Sequence, residues 1–313
     1  MDQVQSMRAF VRVVQSGTFT KAAASMGLPK PTITKLVQFL ETRLRVRLLH
    51  RTTRRVTLTP EGSAYYERTL RLLEELDEIE ASVTHERVQP AGRLRVDVAT
   101  SVARVILIPA LPQFHQRYPD VEVVMGITDR TVDLVEENVD CAVRGGPVLD
   151  ESLVARHLGE LQFVTVASPA YLARHGTPCH PRELEAKGHR AVTFFSARTG
   201  RPYPQRFVRG EERHELQLPG TLAVSDTSAL LDAVLSGLGL AHLATFLAAQ
   251  HVERGELVQL LPEWTRPTFP AHVVYPANRH LSAKVRVFVD WVVQVFAAHP
   301  HIRRPQPPLR AAA

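Results

Sequence analysis

The feature that most constrains the fold of this chain is the stretch at residues 19–38, FTKAAASMGLPKPTITKLVQ, in which two helical segments meet at a glycine. The first segment is rich in small residues and ends at Gly27, which can adopt the positive φ that a tight corner requires. Leu28 can pack beneath this corner, and PKPT then opens the next helix, where a proline removes no helical hydrogen bond. We therefore predict two short helices that cross closely at the alanines.

The corner separates an inward-facing set of side chains from an outward-facing set. Apolar residues at helical spacing predict that the inward set is Ala22, Ala23, Met26, Leu28, Ile33, Leu36 and Leu40. The outward side chains at the start of the second helix can hydrogen-bond to base edges and phosphates; they are Lys30, Pro31, Thr32, Thr34, Lys35 and Gln38. The pattern favours a helix-turn-helix, whose second helix enters the DNA major groove, with an ordinary helical hairpin as the alternative. For each polar side chain, a phosphate contact and base readout both remain open.

Positive charge is concentrated at the same end of the chain. The 313 residues carry a formal net charge of +6, and residues 1–60 hold eleven Lys and Arg against Asp2 and Glu41. Such a block is typical of a nucleic-acid surface, because neutralising phosphates releases counterions. Charge alone is explained equally well by an ordinary solvated face.

A basic hairpin and a long helix follow. In LLHRTTRRVTLT, two apolar runs flank a basic tip, which predicts a wing that presents Arg51, Thr52, Arg54 and Arg55 to phosphates. TPEG then opens a long helix with Thr59 as its N-cap. Residues spaced by four and three along this helix predict a coiled-coil seam for a dimer contact, made of Tyr65, Thr69, Leu72, Leu76, Ile79 and Val83. The alternative is an amphipathic helix that lies on its own domain.

After the linker QPAG at residues 89–92, the sequence changes to strand-like and helix-like segments in alternation. RLRVDVA, VEVVMGI and VDCAVR read as strands, and the segments ILIPALPQFHQRYP and TVDLVEEN between them read as helices. Strands separated by helices predict an α/β fold with a parallel sheet, which binds ligands beyond the carboxyl ends of its strands. The candidate ligand contacts at such ends are Thr100, Ser101, Thr128, Arg144, Phe195, Ser196, Ser225 and Thr227. Plain helix capping is the alternative for each, and Arg144 could instead pair with Asp129 or Asp140.

Several classes of function are disfavoured by the residues. Cys141 and Cys179 lack the spacing of a zinc site, and no HExxH, GxSxG or GxxxxGK pattern is present, so we expect no metal, no cofactor and no enzyme. Residues 228–249 are long enough to span a bilayer, but Asp232 and His242 within them favour a helix, turn and strand instead. The amino terminus does not resemble a signal peptide, so we expect a cytoplasmic protein. A solute-binding protein that never meets DNA would leave the basic block unexplained.

These motifs resemble the LysR-type transcriptional regulator family over roughly residues 3–297. GTFTKAAASMGLPKPTITKLVQFLETRL and VRLLHRTTRRVTLTPEG match its amino-terminal block, and RYPDVEV, DLVEENVDCAVRGG and SLVARHLGE match its effector domain. The resemblance implies a winged helix-turn-helix at residues 1–60, a dimerising linker helix at 61–90 and an effector-binding domain at 91–300 with two α/β lobes like periplasmic binding proteins. Lobe I would be about 91–163 and 268–300, lobe II about 164–267, and 301–313 a disordered tail.

The resemblance also implies partners and shows departures. The implied partners are double-stranded DNA, a small-molecule effector, RNA polymerase and further copies of the chain in a homodimer or tetramer. Arg45 stands where the family usually has a glycine after the recognition helix, so we expect that helix end to be capped without an easy left-handed residue. Pro31 stands where serine is common, so one phosphate-binding or helix-capping hydroxyl is missing and Thr32 is the expected donor. Val102-Ala103 stands where Phe-Gly is common, which predicts a ligand pocket of different shape.

Overall fold

The structure is a computed structural model that describes residues 2–51, 56–84, 89–148, 150–197, 199–220, 222–277 and 281–303. The chain divides into two compact units, Met1–Gln89 and Pro90–Ala313. In the first unit the elements are α1 (Gln3–Ser16), α2 (Phe19–Met26), α3 (Lys30–Leu44), β1 (Leu49–Arg51), β2 (Val56–Leu58) and α4 (Pro60–Thr84).

The core of the first unit forms where α1, α2 and α3 meet. Phe10 of α1 is fully buried, and Val37 of α3, which the sequence analysis left out of the inward set, is buried beside it. Of the predicted inward set, Met26 and Leu28 are partly buried and five are buried: Ala22, Ala23, Ile33, Leu36 and Leu40. The small alanines let the helices approach closely, so the predicted crossing of α2 and α3 is present.

The helices α1, α2 and α3 each end at a residue whose backbone is in the left-handed region. Gly17 and Gly27 have φ values of 69° and 63°, and the hydroxyl of Thr18 caps the start of α2. At the end of α3, Arg45 itself adopts a left-handed conformation with φ 56°, and its amide reaches back to the carbonyls of Glu41 and Thr42. This end is therefore capped without a glycine, as expected, and the arginine itself takes the left-handed conformation that a glycine would adopt more easily.

The helix α4 begins as predicted and then packs on its own unit. The Thr59 hydroxyl accepts a hydrogen bond from the Gly62 amide at 2.9 Å, as an N-cap does. Tyr65 packs against Phe10 with ring centroids 5.7 Å apart, and Thr69 is buried. These two positions belong to the intramolecular core, as the alternative interpretation held, whereas Leu72 is 50% exposed. The side chains of Ile79 and Val83 lie outside the described part of the structure.

The second unit contains strands and helices in alternation over its first half. In chain order these are β3 (Gly92–Val98), α5 (Thr100–Val102), a π-helical segment (Ala103–Leu107), α6 (Ile108–Arg117), β4 (Val121–Ile127), β5 (Cys141–Gly145), β6 (Leu153–Leu161), β7 (Phe163–Ala167), α7 (Pro169–His175), α8 (Pro181–Ala186) and β8 (Val192–Phe194). The rest of the unit comprises β9 (Gln205–Arg209), β10 (Glu212–Leu216), β11 (Leu222–Val224), α9 (Thr227–Leu235), β12 (Ala241–Ala244), α10 (Thr245–Glu253), β13 (Val258–Leu260), β14 (Phe269–Pro276), α11 (Ala283–Ala298) and β15 (Ile302–Arg303).

Two lobes arise because the strands fall into separate sheets. The first lobe has a six-stranded sheet in the order β15-β6-β14-β5-β3-β4, covered by α6 and α11. In this sheet β3 is parallel to β4 and β5, but β14 runs antiparallel to both β5 and β6. The predicted strands β3, β4 and β5 are therefore parallel, but the prediction was wrong for two of the six strands, β14 and β15, which run opposite to the other four after the chain has returned from the second lobe.

The second lobe contains the sheet β12-β7-β13 and the parallel pair β8 and β11, and a bridge between Ala191 and Leu240 links the two. Between β6 of the first lobe and β7 of the second, only Gln162 intervenes. The chain returns between Leu260 and Phe269, where the Phe269 ring meets that of Phe163 with centroids 5.7 Å apart.

Two local predictions were wrong. Residues 131–138, predicted to be a helix, form hydrogen-bonded turns in which Asp133 accepts from the amides of Val135 and Glu136. These are the bonds of an N-cap, but the turns end at Asn138, which adopts a left-handed conformation with φ 56°. Ile302, placed in the predicted tail, is buried and pairs with Leu161 of β6, while residues 304–313 lie outside the described residues. Over the part of the chain that the structure describes, no helix is both long and apolar enough to cross a membrane.

Candidate functional site

The outward face of α3 is the first candidate site. Lys30, Pro31, Lys35 and Gln38 are exposed there, and Lys30 and Lys35 form no ion pair with any described residue. Two unpaired ammonium groups on one exposed helix face leave their charge available to a phosphate or a base edge.

The two threonines of this face are less accessible than the lysines. Thr32 and Thr34 are half-buried, and the Thr34 hydroxyl donates to the carbonyl of Lys30 at 3.0 Å. Its donor is occupied by the helix itself, so a contact from Thr34 to an external group would use the oxygen as an acceptor. The structure thus leaves Lys30, Lys35 and Gln38 as the exposed members of the predicted polar contacts.

A network of hydrogen bonds fixes the base of the wing beside α3. One carboxylate oxygen of Glu41, on α3, accepts from the amides of Leu48 and Leu49 at 3.0 and 3.3 Å. From the other side, the Val56 amide of β2 donates to the Gly17 carbonyl, and Leu49 pairs with Leu58 across the hairpin. The hairpin therefore has a defined base.

The tip of the wing is described only in part. The backbone of Arg51 belongs to β1, but its side chain lies outside the described residues. Thr52, Arg54 and Arg55, predicted to contact phosphates, lie outside them as well.

The eight predicted ligand residues meet at the carboxyl ends of two sets of parallel strands. Thr100 and Ser101 follow β3, Thr128 follows β4 and Arg144 lies near the end of β5. In the second lobe, Phe195 and Ser225 follow the parallel strands β8 and β11, and the Phe195 amide donates to the Val224 carbonyl. Ser196 and Thr227 complete the set one or two residues later.

Hydrogen bonds join these two sets of strand ends. The Thr100 hydroxyl donates to Asp226 at 3.0 Å, and the Ser101 amide donates to the Thr227 hydroxyl at 3.2 Å. Asp129 accepts from the amides of Thr100 and Thr227 at 2.8 and 2.6 Å. The predicted residues Thr100, Ser101 and Thr227 are thus already partnered across the lobes.

Sequence reasoning gave Asp226 no role and considered Asp129 only as a partner of Arg144. Asp226 is the N-cap of α9 and accepts from the Ala229 amide at 2.8 Å. The pattern SDTSA ahead of an apolar run is a helix-start signal that could have identified it. Asp129 directly follows Thr128, yet no local pattern announces that its partners lie across the lobes.

The ion partner of Arg144 is Asp97 of β3, neither of the two carboxylates expected from the sequence. Its guanidinium also donates to the carbonyl of Thr128. Gly126 lies opposite Asp97 in the sheet, and a Cβ there would approach the Asp97 carboxylate to 2.8 Å, so the glycine leaves room for this ion pair. Burial lowers the pKa of Arg144 to about 10. Arg144 therefore ties β5 to β3 and to the end of β4.

Near the cleft, a recess of about 750 Å³ is lined by residues 130–136 and by Asp150, Ser152, Leu153 and Ala197. None of the eight predicted ligand residues lines it. Arg130 in its wall forms a bidentate ion pair with Glu137, whose carboxylate pKa is lowered chiefly by that hydrogen bond.

One group of described side chains has the spacing of metal ligands. His214 Nε2 lies 2.8 Å and His180 Nε2 lies 3.5 Å from Glu212 Oε1. However, His180 Nδ1 accepts from the Arg182 amide at 3.2 Å as the N-cap of α8, so the neutral ring carries its proton on Nε2. Arg209 also pairs with Glu212, at 3.1 Å. We interpret this group as a carboxylate surrounded by hydrogen-bond donors.

Comparisons with known proteins agree over both units. Residues 4–63 match the model of the bacterial regulatory helix-turn-helix protein, lysR family, and residues 87–297 match that of the LysR substrate binding domain. An HTH-type transcriptional repressor of Pseudomonas aeruginosa (strain UCBPP-PA14) is 40% identical over 97% of this chain and 95% of its own length. The HTH-type transcriptional regulator CrgA of Neisseria meningitidis serogroup C (strain 8013) is 34% identical over 93% of this chain and 96% of its own.

Solved structures show the same architecture. The structure of CrgA, a LysR-type transcriptional regulator from Neisseria meningitidis, is similar with a TM-score of 0.60 and 33% identity, and covers 93% of this chain and 98% of its own. The full-length virulence activator AphB of Vibrio cholerae has a TM-score of 0.58 and 29% identity, over 94% of this chain and 99% of its own.

Proposed function

The chain belongs to the LysR family of DNA-binding transcriptional regulators, and from that premise we propose that α3 reads a promoter site while a small effector in the cleft modulates transcription. The observation that carries the proposal is the exposed, cationic face of α3 within a helix-turn-helix core. Lys35 and Gln38 would reach base edges in the major groove, and Lys30 would contact a phosphate. The wing, at Arg51, Thr52, Arg54 and Arg55, would hold the neighbouring backbone.

We assign residues 1–60 to DNA binding, 61–90 to a dimerising linker helix and 91–300 to effector binding. A two-fold dimer would place two copies of α3 on the two halves of a palindromic site. Leu72 on α4 is 50% exposed, so its side chain is available for a contact with a second copy. We also propose contact with RNA polymerase, a tetrameric assembly and a cytoplasmic location, which the family resemblance implies.

The effector would bind between the strand ends of the two lobes. Ser225 is half-buried at the end of β11, next to Phe195, and Thr128 lies at the end of β4 in the first lobe's set of strand ends. A thermal-shift screen of small organic acids, amines and neutral metabolites against the whole protein would identify candidates. A compound that raises the melting temperature of the wild type and of Phe163→Leu, but not that of Phe195→Ala, would bind at the strand ends beside Phe195. A binder equally affected by both would lie elsewhere.

The DNA-binding role is tested by footprinting the purified protein on the intergenic region beside its own gene. We expect one protected site with two-fold symmetry, and an affinity that falls steeply as salt increases because phosphate contacts release counterions. A protein that retards no genomic fragment at low salt would contradict the proposal and favour a solute-binding role for the two lobes.

A further inference from the structure

A single carboxylate in the cleft bridges the starts of two helices from different lobes. Asp129 Oδ1 accepts from the Thr100 amide at 2.8 Å, and Oδ2 accepts from the Thr227 amide at 2.6 Å. Thr100 is the first residue of α5 in the first lobe, and Thr227 is the first residue of α9 in the second. One side chain therefore occupies both amides.

The physical role of this carboxylate follows from the helix ends that it joins. The first amides of a helix have no intrahelical acceptor and carry the positive end of the helix dipole. Here two such ends are brought together, and an uncompensated pair would repel while leaving both amides unsatisfied. Asp129 supplies two acceptor oxygens and one negative charge to both ends at once.

Further contacts show that this is the place where the two lobes meet. The Thr100 hydroxyl donates to Asp226, the Ser101 amide donates to the Thr227 hydroxyl, and Arg104 Nη1 donates to the Ser228 hydroxyl at 2.8 Å. Asp226 holds the amide of Ala229 and the Thr100 hydroxyl, so it cannot replace Asp129 at the first amides. Among these contacts, Asp129 alone gives an anion to backbone amides of both lobes.

We propose that Asp129 determines the effector specificity of the cleft. Its carboxylate holds the two lobes together by accepting from the Thr100 and Thr227 amides, a contact that we call the latch. Because it occupies both amides, it excludes anionic groups of an effector from them. The specificity part rests on the proposed binding of an effector between the lobes. An effector seated against this latch therefore presents a neutral or cationic group to it. An anionic effector binds here only by displacing Asp129.

The latch is tested in the full-length protein by hydrogen exchange of the amides at the starts of α5 and α9. In Asp129→Ala both amides lose their acceptor, and we expect exchange of the segments around Thr100 and Thr227 to become about tenfold faster. Adding sodium acetate supplies a free carboxylate, so we expect it to restore slow exchange in the variant, compared with sodium chloride at equal ionic strength. Wild type should not respond, because Asp129 already holds the site.

Asp133→Ala is the matched control. Asp133 also accepts from two backbone amides, those of Val135 and Glu136, but within a single loop of one lobe. Its removal should leave exchange at Thr100 and Thr227 unchanged. If Asp129→Ala does not fold, Asp129→Asn keeps the shape and loses the charge, and exchange should then be faster at one or both amides.

Two results would overturn the proposal. Unchanged exchange in both Asp129 variants would show that the carboxylate does not hold these amides. Faster exchange that acetate fails to slow would show that the amides do not accept a free anion, so Asp129 would be a structural residue without a role in specificity. The hydrogen-exchange measurements, with or without acetate, contain no DNA and no effector. A negative result in them therefore leaves the proposed regulatory function standing. A failed footprint likewise leaves the latch standing.

Discussion

Gly62, in the first turn of α4, packs directly on the carbonyl oxygen of Leu48, to which a Cβ built on Gly62 would come within 1.9 Å. No side chain can be added there without moving the backbone that joins α3 to the wing. We expect Gly62→Ala to lower the free energy of unfolding by about 2 to 3 kcal/mol, although alanine normally stabilises a helix. Urea unfolding followed by far-ultraviolet circular dichroism measures this change.

The control for that substitution is Ser63→Ala at the next, exposed position of α4. It changes helix propensity without entering the contact with Leu48, so it should be neutral or slightly stabilising. Equal stability of Gly62→Ala and wild type would show that the two elements do not pack as closely as described.

Arg45 ends α3 in a conformation that costs a non-glycine residue about 1 kcal/mol. Replacing it with glycine removes that cost, while the greater freedom of glycine in the unfolded chain returns part of it. We therefore expect Arg45→Gly to raise the free energy of unfolding by about 0.5 kcal/mol. Arg47→Gly should lower it, because Arg47 does not have a positive φ. Loss of stability in Arg45→Gly would mean that the arginine side chain makes a contact worth more than the strain.

His242 makes the second unit sensitive to acid. Burial, together with the positive charge of Arg266, lowers the pKa of its imidazole to about 3. Its Nδ1 shares a hydrogen bond with the Thr165 hydroxyl at 3.1 Å, and Nε2 has no partner among the described residues. In the unfolded chain the ring takes up a proton near pH 6.5, whereas in the folded chain it stays neutral down to about pH 3.

The unfolded state therefore binds the extra proton across that window, and stability falls as the pH is lowered through it. We expect His242→Gln to reduce the loss of unfolding free energy between pH 7 and pH 5 by about 2 kcal/mol. Both tryptophans, Trp264 and Trp291, lie in the second unit, so their fluorescence during urea unfolding reports on this unit alone. His115→Gln, which removes an exposed histidine, should keep the wild-type slope, and an unchanged slope in His242→Gln would contradict the account.

The parts of the fold that the sequence predicted are those set by local rules. Gly27 and the alanines before it define the corner of the helix-turn-helix, and the N-cap at Thr59 defines the start of α4, because positive φ, close helix crossing and capping each need particular residues nearby. The apolar spacing on α4 was ambiguous for a different reason. Tyr65 and Thr69 fit both a dimer seam and the core around Phe10, and spacing alone does not say which partner covers a face.

The parts that sequence reasoning did not predict depend on partners distant in the chain. Asp129 contacts Thr227 because the two lobes meet there. The strand β14 joins the first sheet antiparallel after the chain has passed through the second lobe. Arg144 pairs with Asp97 because the two strands are neighbours in the sheet and Gly126 leaves space for the pair. The turns at residues 131–138 end at Asn138, whose left-handed conformation stops the helix-like pattern early.

Lys35 provides the most direct test of the central claim that the outward face of α3 reads DNA. Competition binding at fixed salt would compare Lys35→Ala with wild type on the footprinted site and on random DNA of equal length. Lys187→Ala, which removes the same charge from an exposed pair with Glu183 in the second unit, is the control. We predict that Lys35→Ala weakens binding to the site by about 1 to 3 kcal/mol and to random DNA by less, while the control changes neither. Equal losses on both DNAs would reduce Lys35 to a phosphate contact, and unchanged affinity for the site would contradict the account.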